Sequence, residues 1–173
     1  TSLRATLHKL FAKYPQVSMA VAWASAGAET LGLLTTYRSK IERAVIGTHF
    51  YQTHPDVLDA FVGSSVTRFM LQPAGVFHPK VYCFYDESKL DFDIILGSAN
   101  FTRGAMSVNT ELCAHFTHRD GQPELLAQTL DFIQVQFNEA QAVDQAQCDD
   151  YRRVWELRQP DLKKLVGQYG QTK

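Results

Sequence analysis

FHPKVYCFYDESKLDFDIILGSANFTRGAMSVNTELCAHF, residues 77–116, holds a His-x-Lys, a Gly-Ser-x-Asn and an Asn-x-Glu, each beside an apolar, strand-like run. His78 and Lys80 are two residues apart, so on extended backbone both side chains leave one face while Pro79 points away. Val81 to Tyr85 and Phe92 to Leu96, separated by the polar stretch Asp86 to Asp91, read as two strands of a hairpin. Gly97-Ser98-Ala99-Asn100 ends the second strand. Ser98 and Asn100 can share one face there, and Gly97 lets the backbone come close to a ligand. A third run, Glu111 to Phe116, begins with a carboxylate. These residue types suit phosphodiester transfer: an imidazole nucleophile, an ammonium on the phosphoryl oxygens, and hydroxyl and amide donors around the same oxygens. The inventory requires no metal and no other cofactor.

In order and spacing, His78-x-Lys80, Gly97-Ser98-x-Asn100 and then Glu111 resemble the signature of the phospholipase D superfamily of phosphodiesterases, and in particular its small bacterial nucleases. One position departs from the pattern. The superfamily places an Asp after four residues following the Lys; that site is Tyr85 here, and Asp86 comes one residue late. The resemblance implies catalytic roles for His78, Lys80, Asn100 and Glu111, and contacts to substrate from Gly97 and Ser98; Arg103, read from its place after Asn100, adds charge for substrate there, an exposed surface arginine being the commoner alternative.

The resemblance also implies a mechanism with two histidines, one attacking phosphorus to form a phosphohistidine and the other protonating the leaving oxygen. A chain with one motif then needs a second copy, so the expectation is a homodimer with both His78 side chains at a shared site on the two-fold axis. Small size, a single motif and the likeness to small nucleases favour a nucleic-acid substrate, DNA first. Two other readings stay open. One is a phospholipid or other small phosphodiester hydrolase, which an exposed apolar rim near His78 would support. The other is an inactive dimeric nucleic-acid-binding module, which an occluded site would support.

The chain has 173 residues, 45% hydrophobic and 20% charged, which suits one globular domain with a sizeable core. No apolar run approaches the roughly 20 residues of a membrane helix, and no signal segment opens the chain, so no membrane partner and a cytoplasmic location are expected. Cys83, Cys113 and Cys148 lack metal-site spacing and read as reduced thiols. A first residue of Thr1 fits a domain fused to a larger restriction or helicase protein. The net charge of −1 gives no broad positive field, so a nucleic-acid partner must meet a local patch.

Working outward, residues 3–14 carry Leu3, Leu7, Leu10 and Phe11 at helical spacing, and Pro15 ends the helix. Val17 to Ala24 reads as a doubly covered strand, 28–37 as a helix, and 44–47 as a strand. Thr53 reads as the N-cap of a helix with Pro55 in its first turn and Asp56 at N3; Val57, Leu58 and Phe61 form its buried stripe. Val66 to Leu71 is the next strand. This alternation predicts an α/β fold with a mixed, mostly parallel sheet flanked by helices, phospholipase D-like. Residues 101–106 are expected to form a short turn or helix whose amides help to hold a phosphate. His49 and His54 suit a rim or capping role better than a metal site, and His115 and His118 read as structural or surface histidines. The domain spans residues 1–173, with a helical part from about 123: an amphipathic helix over 123–137 and another over 143–157. Arg152, Arg153, Arg158, Lys163 and Lys164 form a basic cluster that reads as a solvated face before a nucleic-acid contact.

Overall fold

The computed structural model describes residues 2–71, 75–120 and 123–165. Helix α1, Leu3–Lys13, starts where Ser2 Oγ accepts the Ala5 N–H and stops at an extended Tyr14 before Pro15; it buries Leu7, Leu10 and Phe11. Strand β1, Gln16–Val21, is buried after its first residue. Helix α2, Leu31–Thr36, leads to β2, Ile41–Gly47, and helix α3, Pro55–Ala60, leads to β3, Thr67–Met70. The hairpin read from the sequence is present as β4, Lys80–Tyr85, and β5, Phe92–Gly97. A short helix α4, Arg103–Ser107, precedes β6, Cys113–Thr117. Two long helices follow, α5 over Pro123–Glu139 and α6 over Gln145–Leu165, the latter longer than its apolar pattern predicts.

The strand order is β3-β2-β1-β4-β5-β6. The sheet is mixed and helix-flanked, as expected. Parallel pairing belongs to the β3-β2-β1 half, where helices make the crossovers. The other three ladders are antiparallel, because the β4–β5 turn reverses the chain and β4 enters beside β1 in the opposite sense. Strand β1 therefore stands where the two halves meet. The C-terminal ends of β1 and β5 and the N-terminal ends of β4 and β6 lie along one end of the sheet. Crevices at such ends are where open α/β sheets bind ligands.

Two apolar layers cover the faces. Phe11, Val17, Met19, Leu34, Leu58, Tyr82, Phe84, Ile95 and Phe101 share one core with α1, α2, α3 and α6. Ala20, Val45, Cys83, Tyr85 and Ile94 pack under Leu126, Ile133 and Phe137 of α5 on the other face. The free edge of β3 is closed by Gln141, which exchanges backbone hydrogen bonds with Phe69 at 2.8 and 3.0 Å.

Thr53 is not the cap of α3. Its hydroxyl donates to Gly47 O at 2.6 Å and accepts the Ala24 N–H at 3.1 Å, which ties the ends of β2 and β1 together. His54 caps the helix instead, its Nδ1 accepting the Asp56 N–H at 3.2 Å, so Asp56 falls one position earlier than expected. Cys83 and Cys148 are buried and Cys113 half-buried, all as free thiols.

Candidate active site

Pro79 O accepts the Ala22 N–H at 2.9 Å and Lys80 pairs with Val21, which fixes the His78–Lys80 segment against the end of β1. The pairing also brings Trp23 against both side chains. The His78 ring meets the Trp23 ring edge-on, centroids 5.2 Å apart at 70°, and Lys80 Nζ stands 5.7 Å from the Trp23 centroid. Lys80 Nζ donates to His78 O at 2.9 Å. Sequence reasoning passed over Trp23; its only signal was an aromatic ring at the end of a buried apolar strand.

His78 is exposed, while Lys80 is only 8% accessible. Partial desolvation, and then the Lys80 charge, hold the imidazole below its ordinary value. Burial likewise lowers the Lys80 ammonium, and the carboxylate of Glu111 opposes that shift. The direction on His78 favours the neutral, nucleophilic ring at neutral pH.

After β5 the chain turns beside β1. Phe101 N–H donates to Trp23 O at 3.1 Å, and Ser25 N–H to Phe101 O at 3.1 Å. Ala99 points inward, fully buried, with its carbonyl accepting the Tyr82 hydroxyl at 2.9 Å. Asn100 thereby reaches Trp23, whose N–H it accepts through Oδ1 at 3.3 Å. This leaves the Asn100 Nδ2 amide to donate at the site.

Ser98 and Glu111 form a unit of their own. Ser98 Oγ donates to Glu111 Oε2 at 2.5 Å and accepts the Leu112 N–H at 3.0 Å; Asn109 Nδ2 donates to the other carboxylate oxygen at 3.1 Å. Glu111 is therefore positioned from both oxygens, and within one chain the described hydrogen bonds join it to Ser98 and Asn109 rather than to His78. Gly97 is required by β6: a Cβ there would lie 2.3 Å from Leu112 O and 2.7 Å from Cys113 Cα. Gly97 also lines, with His78, Lys80, Thr129 and Phe132, a cavity of about 490 Å³.

Arg103 is exposed at the start of α4. Four of the amides of 101–106, from which a phosphate cradle was expected, already have partners: Phe101 N–H on Trp23 O, Arg103 N–H on Ser25 Oγ, and Ala105 and Met106 N–H on Thr102. Among the described residues, no group of three or more His, Cys, Asp or Glu side chains is placed to hold a metal ion.

The position where the superfamily pattern has Asp lies at the far end of β4. Tyr85 is buried there and shares a 2.8 Å hydrogen bond with Ser18. Asp86 sits in the hairpin turn, accepting from Ser88 and from the Leu90 and Asp91 amides, and these bonds lower its carboxyl. A six-residue strand separates this departure from Lys80.

No protein-family model and no curated protein matches the sequence. Among solved structures, a phospholipase D family member, Nuc from Salmonella typhimurium, aligns with a TM-score of 0.61 over 82% of this chain and 90% of Nuc, at 17% identity. The fold is the phospholipase D fold. NucT from Helicobacter pylori aligns with a TM-score of 0.57 over 81% of this chain and 92% of NucT, at 16% identity. Polyphosphate kinase from Porphyromonas gingivalis aligns with a TM-score of 0.57 over 91% of this chain but 27% of the kinase, at 12% identity. The phospholipase D fold thus agrees with the motif order read from residues 77–116.

Two histidines outside this site have partners distant in the sequence. His115 Nε2 lies 2.5 Å from Asp93 Oδ1, and His118 Nδ1 lies 2.9 Å from Asp91 Oδ1. Three members of the C-terminal basic cluster are ion-paired, while Arg158 is exposed and forms no ion pair among the described residues. Arg152 bonds Asp56 at 2.7 Å and also Asp59, Arg153 bonds Asp150 at 2.7 Å, and Lys164 bonds Asp161 at 3.1 Å. The Lys163 side chain lies outside the described residues.

Proposed function

We propose that the chain is a metal-independent phosphodiesterase, a nuclease that hydrolyses DNA through a phosphohistidine on His78 at a site shared by two subunits. The observation that carries this reading is the convergence of His78, Lys80 and Asn100 on Trp23 at the end of the sheet where β1, β4 and β5 meet. The fold alone does not choose the reaction, since its neighbours include proteins named as nucleases and as a polyphosphate kinase.

In this mechanism the neutral His78 ring of one subunit attacks phosphorus, forming the P–N bond as the P–O bond to the leaving oxygen breaks. The His78 imidazolium of the other subunit gives that oxygen its proton. Water then attacks the phosphohistidine, the second histidine takes its proton, and the first His78 leaves as a neutral ring. Lys80 and the Nδ2 amide of Asn100 meet the non-bridging oxygens where charge develops. Ser98 acts chiefly through Glu111, and Arg103, exposed at the start of α4, is assigned to a flanking phosphate. Glu111 supports the Lys80 charge and, across the two-fold axis, stabilises an imidazolium.

One observation favours the phospholipid reading: Val76 and Phe132, 55% and 43% exposed, line a cavity of about 300 Å³ with His78. The dimer reading assigns the same apolar side chains to the subunit interface. The test is cleavage of labelled single- and double-stranded DNA in EDTA by wild type and His78→Ala. Cleavage by wild type alone is expected; activity retained by His78→Ala refutes the mechanism, and a wild type that cuts lipid diesters but not DNA moves the assignment to lipid.

A further inference from the structure

Helix α1 carries Arg4, Lys9 and Lys13 and no acidic residue. Thr6, Lys9 and Lys13 are spaced three and four apart and so share one face of the helix. That face stands opposite the edge strand β6. With His115, Thr117, His118 and Arg119 it encloses a cavity of about 530 Å³. A second cavity, of about 310 Å³, is lined by Leu3, Ile95, Glu111 and Cys113 and shares Thr6 and His115 with the first. The two make one groove between α1 and β6, which begins at Glu111 beside the candidate active site and ends at Arg119.

The groove lies on the same face of the sheet as Lys80. Lys80 alternates along β4 with Tyr82 and Phe84, which share a core with Leu10 and Phe11 of α1 and with Ile95. Two carboxylates line the groove, Asp93 and Glu111, the latter bonded by Ser98 and Asn109; Asp91 and Asp120 lie beside it. Asp93, 6% accessible, is bonded by Tyr14, His115 and Lys13; Asp91 by Tyr14, Lys13 and His118; and Asp120 by the Thr117 amide and hydroxyl. Lys9 and Arg119 are exposed and form no ion pair among the described residues. Lys9 and Arg119 therefore stand at the rim of the groove as two cations unpaired among the described residues.

We infer that the α1–β6 groove carries the sugar–phosphate backbone of a nucleic-acid strand, with Lys9 and Arg119 on phosphates flanking the one that reacts. This rests on the nuclease reading of the His78 site and extends it to a substrate that is a polymer. Helix α1 runs about 15 Å alongside the groove, enough for several nucleotides. Contacts to phosphates position a strand without reading its bases, so the groove predicts length dependence rather than sequence dependence.

The test compares wild type with Lys9→Gln/Arg119→Gln, using a fluorescein-labelled single-stranded DNA of about 20 nucleotides and bis(p-nitrophenyl) phosphate, a diester too small to reach the groove. Each lost phosphate contact removes about 0.7 from the slope of log K against log salt on a single strand, so the double variant should lose about 1.4. Its KM for the oligonucleotide should rise while kcat/KM for the small diester and the melting temperature stay at the wild-type values. Lys9→Arg/Arg119→Lys should restore the slope. An unchanged slope in the Gln variant, or a wild type with no salt-dependent binding to the strand, overturns the groove. A wild type that binds with the expected slope but hydrolyses neither substrate sinks the nuclease reading instead and leaves the groove standing.

Discussion

Asn100 accepts the backbone N–H of Trp23 through Oδ1 at 3.3 Å, and this one bond decides which end of the amide faces the site. A backbone donor can only be met by the carbonyl oxygen, so Nδ2 is left to donate to a phosphoryl oxygen. Asn100→Asp keeps the acceptor for Trp23 but replaces the donor with a second anionic oxygen. The expected result is a loss of kcat/KM on a labelled oligonucleotide of at least about 100-fold, with thermal stability close to wild type. Near-normal activity would remove Asn100 from the catalytic set.

His78 is held below its ordinary value by partial desolvation first and by Lys80 second. A lowered imidazole stays neutral to lower pH, so the midpoint of its ring protons in an NMR titration should fall below about 6.5. In Trp23→Ala more water reaches the ring and the midpoint should rise. If it rises only in Lys80→Met, the lowering belongs to the Lys80 charge and not to the Trp23 contact.

The hairpin was legible from strand alternation, and the His78/Lys80 and Ser98/Asn100 pairs from their places at the strand ends, although the fold sends Ser98 to Glu111 and Asn100 to Trp23. What Ser98 bonds was not legible. It faces the incoming β6 and positions Glu111, a relation set by how closely β5 and β6 approach at Gly97. The same holds for the histidines after β6. His115 reads as unpartnered because Asp93 is 22 residues away in the chain and meets it only across the β5–β6 ladder. The Arg152 cluster looked like free positive charge for the same reason, its Asp56 partner lying 96 residues upstream. Local period reaches an element and its faces; it does not reach a pair joined by the fold.

Gly97→Ala tests that close approach. A Cβ at 2.3 Å from Leu112 O meets backbone, which cannot rotate away, so β6 must shift. The cost should be about 1–3 kcal/mol in urea unfolding, and activity should fall because Leu112 adjoins Glu111. Wild-type stability would mean that the two strands can separate there at no cost.

Asp93 is nearly buried beneath Tyr14, His115 and Lys13. Asp93→Ala leaves those groups facing one another without the carboxylate and should destabilise the chain by about 3 kcal/mol in urea unfolding. The neighbouring Asp91 carboxyl is held below the usual range, first by the Tyr14 hydroxyl and then by Lys13. A lowered carboxyl contributes stability that is present above its unfolded value of about 3.9 and is lost as pH falls through its folded value. Tyr14→Phe should therefore flatten the acid limb of the stability profile; a limb identical to wild type would remove Tyr14 as its cause.

The proposed mechanism needs two copies of His78 for one reaction, and mixed subunits test it most directly. Wild type and His78→Ala are unfolded together, refolded at varied ratios, and assayed for cleavage of a labelled oligonucleotide. If both copies serve one site, activity follows the square of the wild-type fraction, so an equal mixture retains a quarter of the wild-type rate. Activity that follows the fraction linearly, with half the rate retained in the equal mixture, would show that each chain works alone and would contradict the shared site.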